Sequence, residues 1–390
     1  MLQYYVCAAR VIIMIMKIIF LYLSIILLVC SCDASRNFTN SDVKITFKED
    51  ELHSSPFFKI NKIVKLENTT EASTINDVQR ILCSDSLLFI FDKRSNKLMA
   101  FNYDGVFCGS TTGLVGRARN EYVHALDAAI DNVNHQIYLY CDIPYQMMIL
   151  DFNLKVKECI KLKDLFTEFT IDSTYVYALY PDLKDESRYE LRCYRKDDLS
   201  GDYEVLIKQD KAIGRVRGLG KCINGNGDKI YVCMPFDNTV YELANGSVQK
   251  SWTFDFGGKW FNYAQNKNFM GSRFIDRNDD KYWAIQNVIA SDTWLLFNTN
   301  QSNVFNTSLK ANSCTGYSCL VNDSIPFSNS WMIPTNQKKG MAYLVSPINI
   351  VSYKNYYYRK NKELPFNPIN PIIEKVTEDD NPLIILGTID

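Results

Sequence analysis

The residues with the plainest chemistry stand near the start of the chain. Lys17 precedes an apolar run, IIFLYLSIILLV, that ends in Val29-Cys30-Ser31-Cys32. A positive charge, a short hydrophobic core, small residues and then a cysteine follow the order of a bacterial lipoprotein signal. This reading makes residues 1–31 a signal peptide and Cys32 the acylated first residue of the mature chain. The run from Ile18 to Val29 is shorter than the ~20 apolar residues that a spanning helix needs, so it reads as a cleaved hydrophobic region. Met16, directly before Lys17, is a better start than Met1, because MLQYYVCAARVIIMI adds a second apolar piece that no signal requires. From Met1 the alternative is an uncleaved anchor over Val11 to Val29, interrupted only by Lys17. A lipoprotein cysteine carries several acyl chains, and at about 0.8 kcal/mol per buried methylene more than one chain holds a protein stably at a membrane. The expected location is the cell envelope, at the outer membrane, on a side that the sequence leaves open.

Other reactive groups are sparse. The three histidines, His53, His124 and His135, have neither HExxH nor paired spacing, so no metal site is expected. Phosphate loop, dinucleotide fingerprint and GxSxG elbow are missing, and no cofactor is expected. Asp276-Arg277-Asn278-Asp279-Asp280 alternates oxygen ligands like a calcium loop. Lys281 and Asn287 stand where the glycine and glutamate of such a loop belong, so it reads as a polar hairpin turn. Nine cysteines follow Cys32 at irregular spacing, several inside apolar runs such as IYLYC and KIYVC. They read as buried free thiols; Cys314 and Cys319 are the only close pair, able to form a loop disulfide. A formal net charge of −1 gives no electrostatic case for nucleic acid.

The elements that must position any site are strands. Tyr and Phe number 24 and 22, while alanine-rich helical stretches are missing, which is a β composition. Residues 33–56 are polar and read, after Cys32, as a linker. From Phe57 a strand-turn-strand module recurs. Its clearest copies are Leu87 to Phe107, Gln136 to Val156 and Lys229 to Gln249; looser ones are Tyr175 to Asp198, Trp294 to Lys310 and Met341 to Lys354. Six copies about 50 residues apart imply small antiparallel sheets that bury both faces by stacking around an axis. The expected fold is all-β, a six-bladed β-propeller over residues 57–390. A weaker strand before each module lines the channel: Val78 to Cys83, Ala128 to Asp131, Phe169 to Asp172, Lys221 to Asn224, Tyr282 to Gln286 and Trp331 to Thr335. Phe58 to Glu67 and Asn381 to Ile389 lie outside these modules, so the two termini are expected to close the ring in one blade. A β-sandwich with a second domain is the competing architecture.

The sequence resembles the six-bladed β-propeller lipoproteins of Gram-negative gut anaerobes, which are distantly similar to NHL-repeat propellers. The resemblance rests on the Cys32 signal, on LLFIFDKRSNKLMAFNYDGVF as a first blade, on GRARNEY (Gly116 to Tyr122) and on EDDNPLII (Glu378 to Ile385). Where that family has a Gly-Pro-Gly-Glu-Tyr-like segment, this chain keeps the leading Gly-Arg and the Glu-Tyr pair. The resemblance implies fold and location more than chemistry, since no catalytic activity is established for that family.

In such a fold the loops between blades and those between second and third strands share one face. That face is expected to carry Arg117, Arg119, Glu121, Tyr122, Arg215, Arg217, Trp260 and Arg273. Arginines beside aromatics can hold anionic or sugar ligands by bidentate bonds and stacking. Solvated loop charges, with Glu121 bracing an arginine between blades, are the plainer alternative. The function expected is that of a monomeric, lipid-anchored binding or scaffold module for an envelope protein, a glycan or a peptide. A glycan hydrolase or lyase at the channel mouth is the rival, since fold alone does not decide; a structural partner of an outer-membrane import complex is the third. Replacing Cys32 by Ala is expected to abolish labelling with a clickable fatty acid and leave an unprocessed precursor. Labelling that persists, or that moves to Cys30, would refute acylation at Cys32.

Overall fold

The computed structural model describes residues 38–54, 57–182, 188–209, 220–261, 281–301, 303–321, 331–360, 362, 364 and 370–390. Among the described residues the strands form four four-stranded sheets, one nine-stranded sheet and one two-stranded pair. The first meander shows why these residues form strands. Val78–Cys83, Leu87–Asp92, Lys97–Asn102 and Phe107–Ser110 pair in order, antiparallel throughout. Asp92 ends the second strand by accepting the Ser95 amide at 3.0 Å and the Ser95 hydroxyl at 2.8 Å, a local bond that turns the backbone back. Asn96 completes the turn with φ +56°, which asparagine tolerates better than most residues.

The apolar runs are continuous, not alternating, because both faces of each sheet are covered. Leu88 and Ile90 meet Val64 and Ile384 on one side, whereas Phe89 and Phe91 meet Leu139 and Cys141 of the next meander on the other. The same division continues along the chain. Tyr138 and Tyr140 pack with Val176 and Ala178, Tyr177 and Leu179 with Ile230 and Val232, and Tyr231 and Cys233 with Leu295 and Phe297. Leu296 then meets Met341 and Tyr343, and Ala342 returns to Ile90 of the first meander. Each meander therefore shares one apolar slab with its predecessor and another with its successor, a propeller-like arrangement of an all-β chain.

The terminal strands pair directly, as expected. Phe58–Lys65 runs antiparallel to Leu383–Ile389, beside Gly340–Val345 and Trp331–Pro334. Gly387 sits at an irregularity in this closing pair, where an added Cβ would lie 2.3 Å from the Lys59 carbonyl oxygen.

Three expectations are corrected. Residues 33–56 are not linker throughout: Thr39–Phe47 is a strand that joins the outer edges of two meanders into the nine-stranded sheet, with Lys44 to Phe47 parallel to Ser313 to Gly316. Its alternating Val43 and Ile45 are buried between those meanders, with Phe47 packed against them, and that period of two was the overlooked signal. Leu52–His53 is also a short strand, parallel to Leu320–Val321. Second, Met341 to Lys354 is not strand-turn-strand. Gly340–Val345 is followed by a helix, Pro347–Arg359, with proline in its first turn, where the missing N–H costs nothing. Third, the fourth and fifth inner strands are Ile223–Asn226 and Ile285–Ala290, a few residues later than expected; ahead of them the Cys222 amide goes to Glu168 and the Trp283 amide to Asn300, side chains in place of a neighbouring strand. No helix among the described residues is long and apolar enough to cross a membrane.

Removing Leu383 to Asp390 is expected to abolish cooperative thermal unfolding, since it unpairs Phe58–Lys65 and strips the apolar side of the last meander. Gly387→Ala should retain cooperativity at a lower melting temperature. A truncated protein that melts like the parent would refute closure through this pair.

Candidate functional site

The inner strands converge on a buried charge cluster. Arg80, on the first inner strand, donates through Nε and Nη2 to the two carboxylate oxygens of Asp127 on the second, both at 2.9 Å. Its remaining reach goes to the carbonyls of Phe169 (3.2 Å) and Ile223 (2.9 Å) and to Asn224 Oδ1 (3.2 Å), on the third and fourth. Lys221 Nζ donates to Asp127 at 3.0 Å. Glu168 accepts the Cys222 amide at 2.8 Å, and Gln286 accepts the Gly220 amide at 2.6 Å. Asp127 is completely buried and Arg80 and Lys221 nearly so. Burial pushes the Asp127 carboxyl upward, but Arg80 and Lys221 outweigh it and hold it well below the usual carboxylate range. Burial likewise lowers Lys221, partly offset by Asp127. The geometry satisfies every N–H direction of the Arg80 fork, so the cluster stoppers the channel and has no donor of that fork left to offer a ligand.

Above this floor lies a cavity of about 540 Å³. It opens on the face where the hairpins between first and second strands emerge, and its wall carries Ser84, Asn132, Ser173, Asn336 and Gln337. The hairpins are pinned to one another. Asn336 Nδ2 and Asn132 Nδ2 both donate to the Cys83 carbonyl, at 3.0 and 3.1 Å, and Asn336 Oδ1 accepts the Cys83 amide at 2.6 Å. Two of the wall carboxylates are already committed. Asp131 is paired with Lys196, which with Asn134 holds it low against the opposing push of burial; Asp172 accepts from the Tyr177 hydroxyl at 2.6 Å and from the Tyr175 amide at 2.7 Å.

The arginine-rich face expected from the sequence is the opposite one. Arg117 and Arg119 are exposed there, Arg119 close enough to influence the Cys159 thiol. Glu121 accepts the Ala118 amide at 2.7 Å with its carboxylate over Gly116. Tyr122 is completely buried; it donates to the Asn96 carbonyl at 3.0 Å and shares a 2.7 Å bond with the Thr111 hydroxyl, so it braces the loop. Trp260 is half-buried on Phe256, with ring centroids 4.7 Å apart. Arg215, Arg217 and Arg273, the Asp276 to Asp280 turn and Cys32 lie outside the described residues. The nine described cysteines are free, Cys314 and Cys319 included. Burial raises the Cys83 and Cys314 thiols to about 12, which makes them poor nucleophiles. Among the described residues no group of three His, Cys, Asp or Glu could hold a metal ion.

Sequence reasoning missed the cluster, although a signal was present. Arg80 and Asp127 each interrupt an apolar inner strand, VQRILC and HALDAAID, and a charge in such a run must find a buried partner. Asp127→Asn leaves Arg80 and Lys221 facing each other with their shared anion gone, and is expected to destabilise the fold by about 3–5 kcal/mol. Because the Asp127 carboxyl is depressed in the folded state, its contribution is complete above its ordinary range near pH 4 and is lost as pH falls toward the folded value. Melting temperature should therefore fall on acidification below about pH 4, and less steeply in Asp127→Asn. An unchanged melting temperature in that variant at pH 7 would refute the role of the cluster.

Comparison with known proteins agrees with this fold. A Bacteroides fragilis protein of known crystal structure, given the provisional name of exported protein, superposes with a TM-score of 0.69 at 14% identity, covering 90% of this chain and 100% of that one. The WD40 β-propeller domain of Doa1 (TM-score 0.41, 8% identity, 74% of this chain and 80% of that one) overlaps too loosely to bear on function. So does PorZ, a surface component of the type-IX secretion system of Porphyromonas gingivalis (TM-score 0.39, 12% identity, 69% and 29%). No curated protein matches the sequence. Residues 38–388 match the family described as Domain of unknown function (DUF4934), and the chain belongs to that family.

Proposed function

We propose that this protein is an exported, lipid-anchored six-bladed β-propeller that acts as a binding module, with the funnel above the Arg80 cluster as its ligand seat. Six blades are favoured by the succession of apolar slabs, which passes through every meander and returns from Ala342 to Ile90. Export and anchoring rest on the Cys32 signal, and the name of the Bacteroides fragilis neighbour fits an extracytoplasmic place.

The observation that carries binding over catalysis is the state of the funnel. Its floor is a saturated charge cluster, and Asp131 and Asp172 are consumed in structural bonds, so the inner wall offers a ligand amide and hydroxyl groups on hairpins held by Asn132 and Asn336, while Asp85, Asp228 and Lys338 stand at the exposed lip. Such a rigid polar cup suits a hydroxyl- or amide-rich ligand, an extracellular glycan or a peptide.

A glycan and peptide binding screen on the form that begins after Cys32 tests this reading. Asp85→Trp and Asp228→Trp place bulk at the exposed lip and are expected to weaken a screened ligand at least about tenfold at constant melting temperature, whereas Arg119→Ala leaves it unchanged. Affinity that ignores the lip variants and is lost in Arg117→Ala or Arg119→Ala would refute the funnel and move the site to the opposite face.

A further inference from the structure

A second cavity, of about 610 Å³, lies between the second and third meanders, away from the funnel. Its floor is apolar: Met147, Leu162, Phe166, Val176 and Leu199 are all buried. Tyr194 and Tyr203 line it as well. Tyr203 is fixed from behind, because the Arg192 guanidinium lies between the rings of Tyr180 and Tyr203, 3.4 and 4.2 Å from their centroids. That guanidinium is itself held by Asp164 at 2.9 Å and Glu190 at 3.0 Å. The cavity thus has a preformed aromatic wall.

Its entrance carries charges of both signs. Lys163, Ser200 and Asp202 are exposed at the lining. Among the described residues the ion pairs include Asp164, which belongs to Arg192, but neither Lys163 nor Asp202. An apolar, aromatic-walled space with room for a fused ring, and with a cation and an anion exposed at its lining, matches one kind of small molecule, with an apolar body and a zwitterionic head.

We infer that this cavity binds an aromatic α-amino acid, its side chain on the apolar floor, its ammonium at Asp202 and its carboxylate at Lys163. The site stands independently of the funnel. Apolar surface supplies the driving force and the charged entrance orients the head.

The test is titration calorimetry on the full chain in detergent, with L-tryptophan, indole (the body without the head) and glycine (the head without the body). L-tryptophan is expected to bind about tenfold more tightly than indole, and glycine not at all. Asp202→Asn and Lys163→Met should each bring L-tryptophan down toward the affinity of indole, and Ser200→Trp, which puts a ring at the exposed mouth, should abolish both. Lys163→Trp, which puts a ring on the other side of the exposed mouth, gives a second route to the same loss if the first blocking variant misfolds. Binding of neither tryptophan nor indole would overturn the inference, as would binding that survives both blocking variants. Equal affinity for indole and tryptophan would overturn the assignment of the head.

Discussion

Asp127 is the point on which the inner strands depend. Completely buried, it accepts from Nε and Nη2 of Arg80 and from the ammonium of Lys221, so one carboxylate ties together three separate stretches of chain, its own included. Isolated, any of the three charges would be costly in an apolar interior, and burying the pair is seldom better than burying hydrocarbon. What the cluster contributes is specificity. Arg80 also bonds the backbone of the third and fourth inner strands, so one side chain holds four strands in a fixed relation.

The slabs between meanders supply the bulk of the stabilisation, and they constrain the order of assembly. A sheet such as Leu87–Asp92 with its neighbours has no polar face to leave in water, since Leu88 and Ile90 need the closing sheet and Phe89 and Phe91 need the second meander. The closing sheet, in turn, needs Phe58–Lys65 from the start of the chain and Leu383–Ile389 from its end. A contact spanning that separation forms late on loop-closure grounds, so the first and last meanders share a slab that cannot be completed until the chain is whole.

The two faces of the molecule have different characters for a reason that lies in the cluster's position. Hairpins between first and second strands are pinned by Asn132 and Asn336 around a cup that ends at Arg80. The opposite face carries the inter-meander loops, braced by buried Tyr122 and by half-buried Trp260, with Arg117 and Arg119 left in solvent. Depth and rigidity are found on the first face and exposed cations on the second.

Much of the fold was legible in the sequence because repetition and continuous apolar runs are local signals. The modules at Leu87, Gln136 and Lys229, and the pairing of the terminal strands, needed no coordinates. The strand Thr39–Phe47 was also written there, in the alternation of Val43, Ile45 and Phe47, but its polar neighbours gave it the look of a linker. The helix Pro347–Arg359 was hidden because its composition, rich in tyrosine, resembles the strands around it. The candidate site was not legible. Arg80, Asp127 and Lys221 are separated by 47 and 94 residues, and nothing in their spacing says that Arg80 and Lys221 both come within about 3 Å of the Asp127 carboxylate. Nor could the sequence tell that Tyr122 faces inward while Arg119, three residues earlier, faces water. Periodicity determines which elements form; which of their charged residues meet at the axis is decided only when the ring closes, because burial and pairing are properties of the assembled slabs.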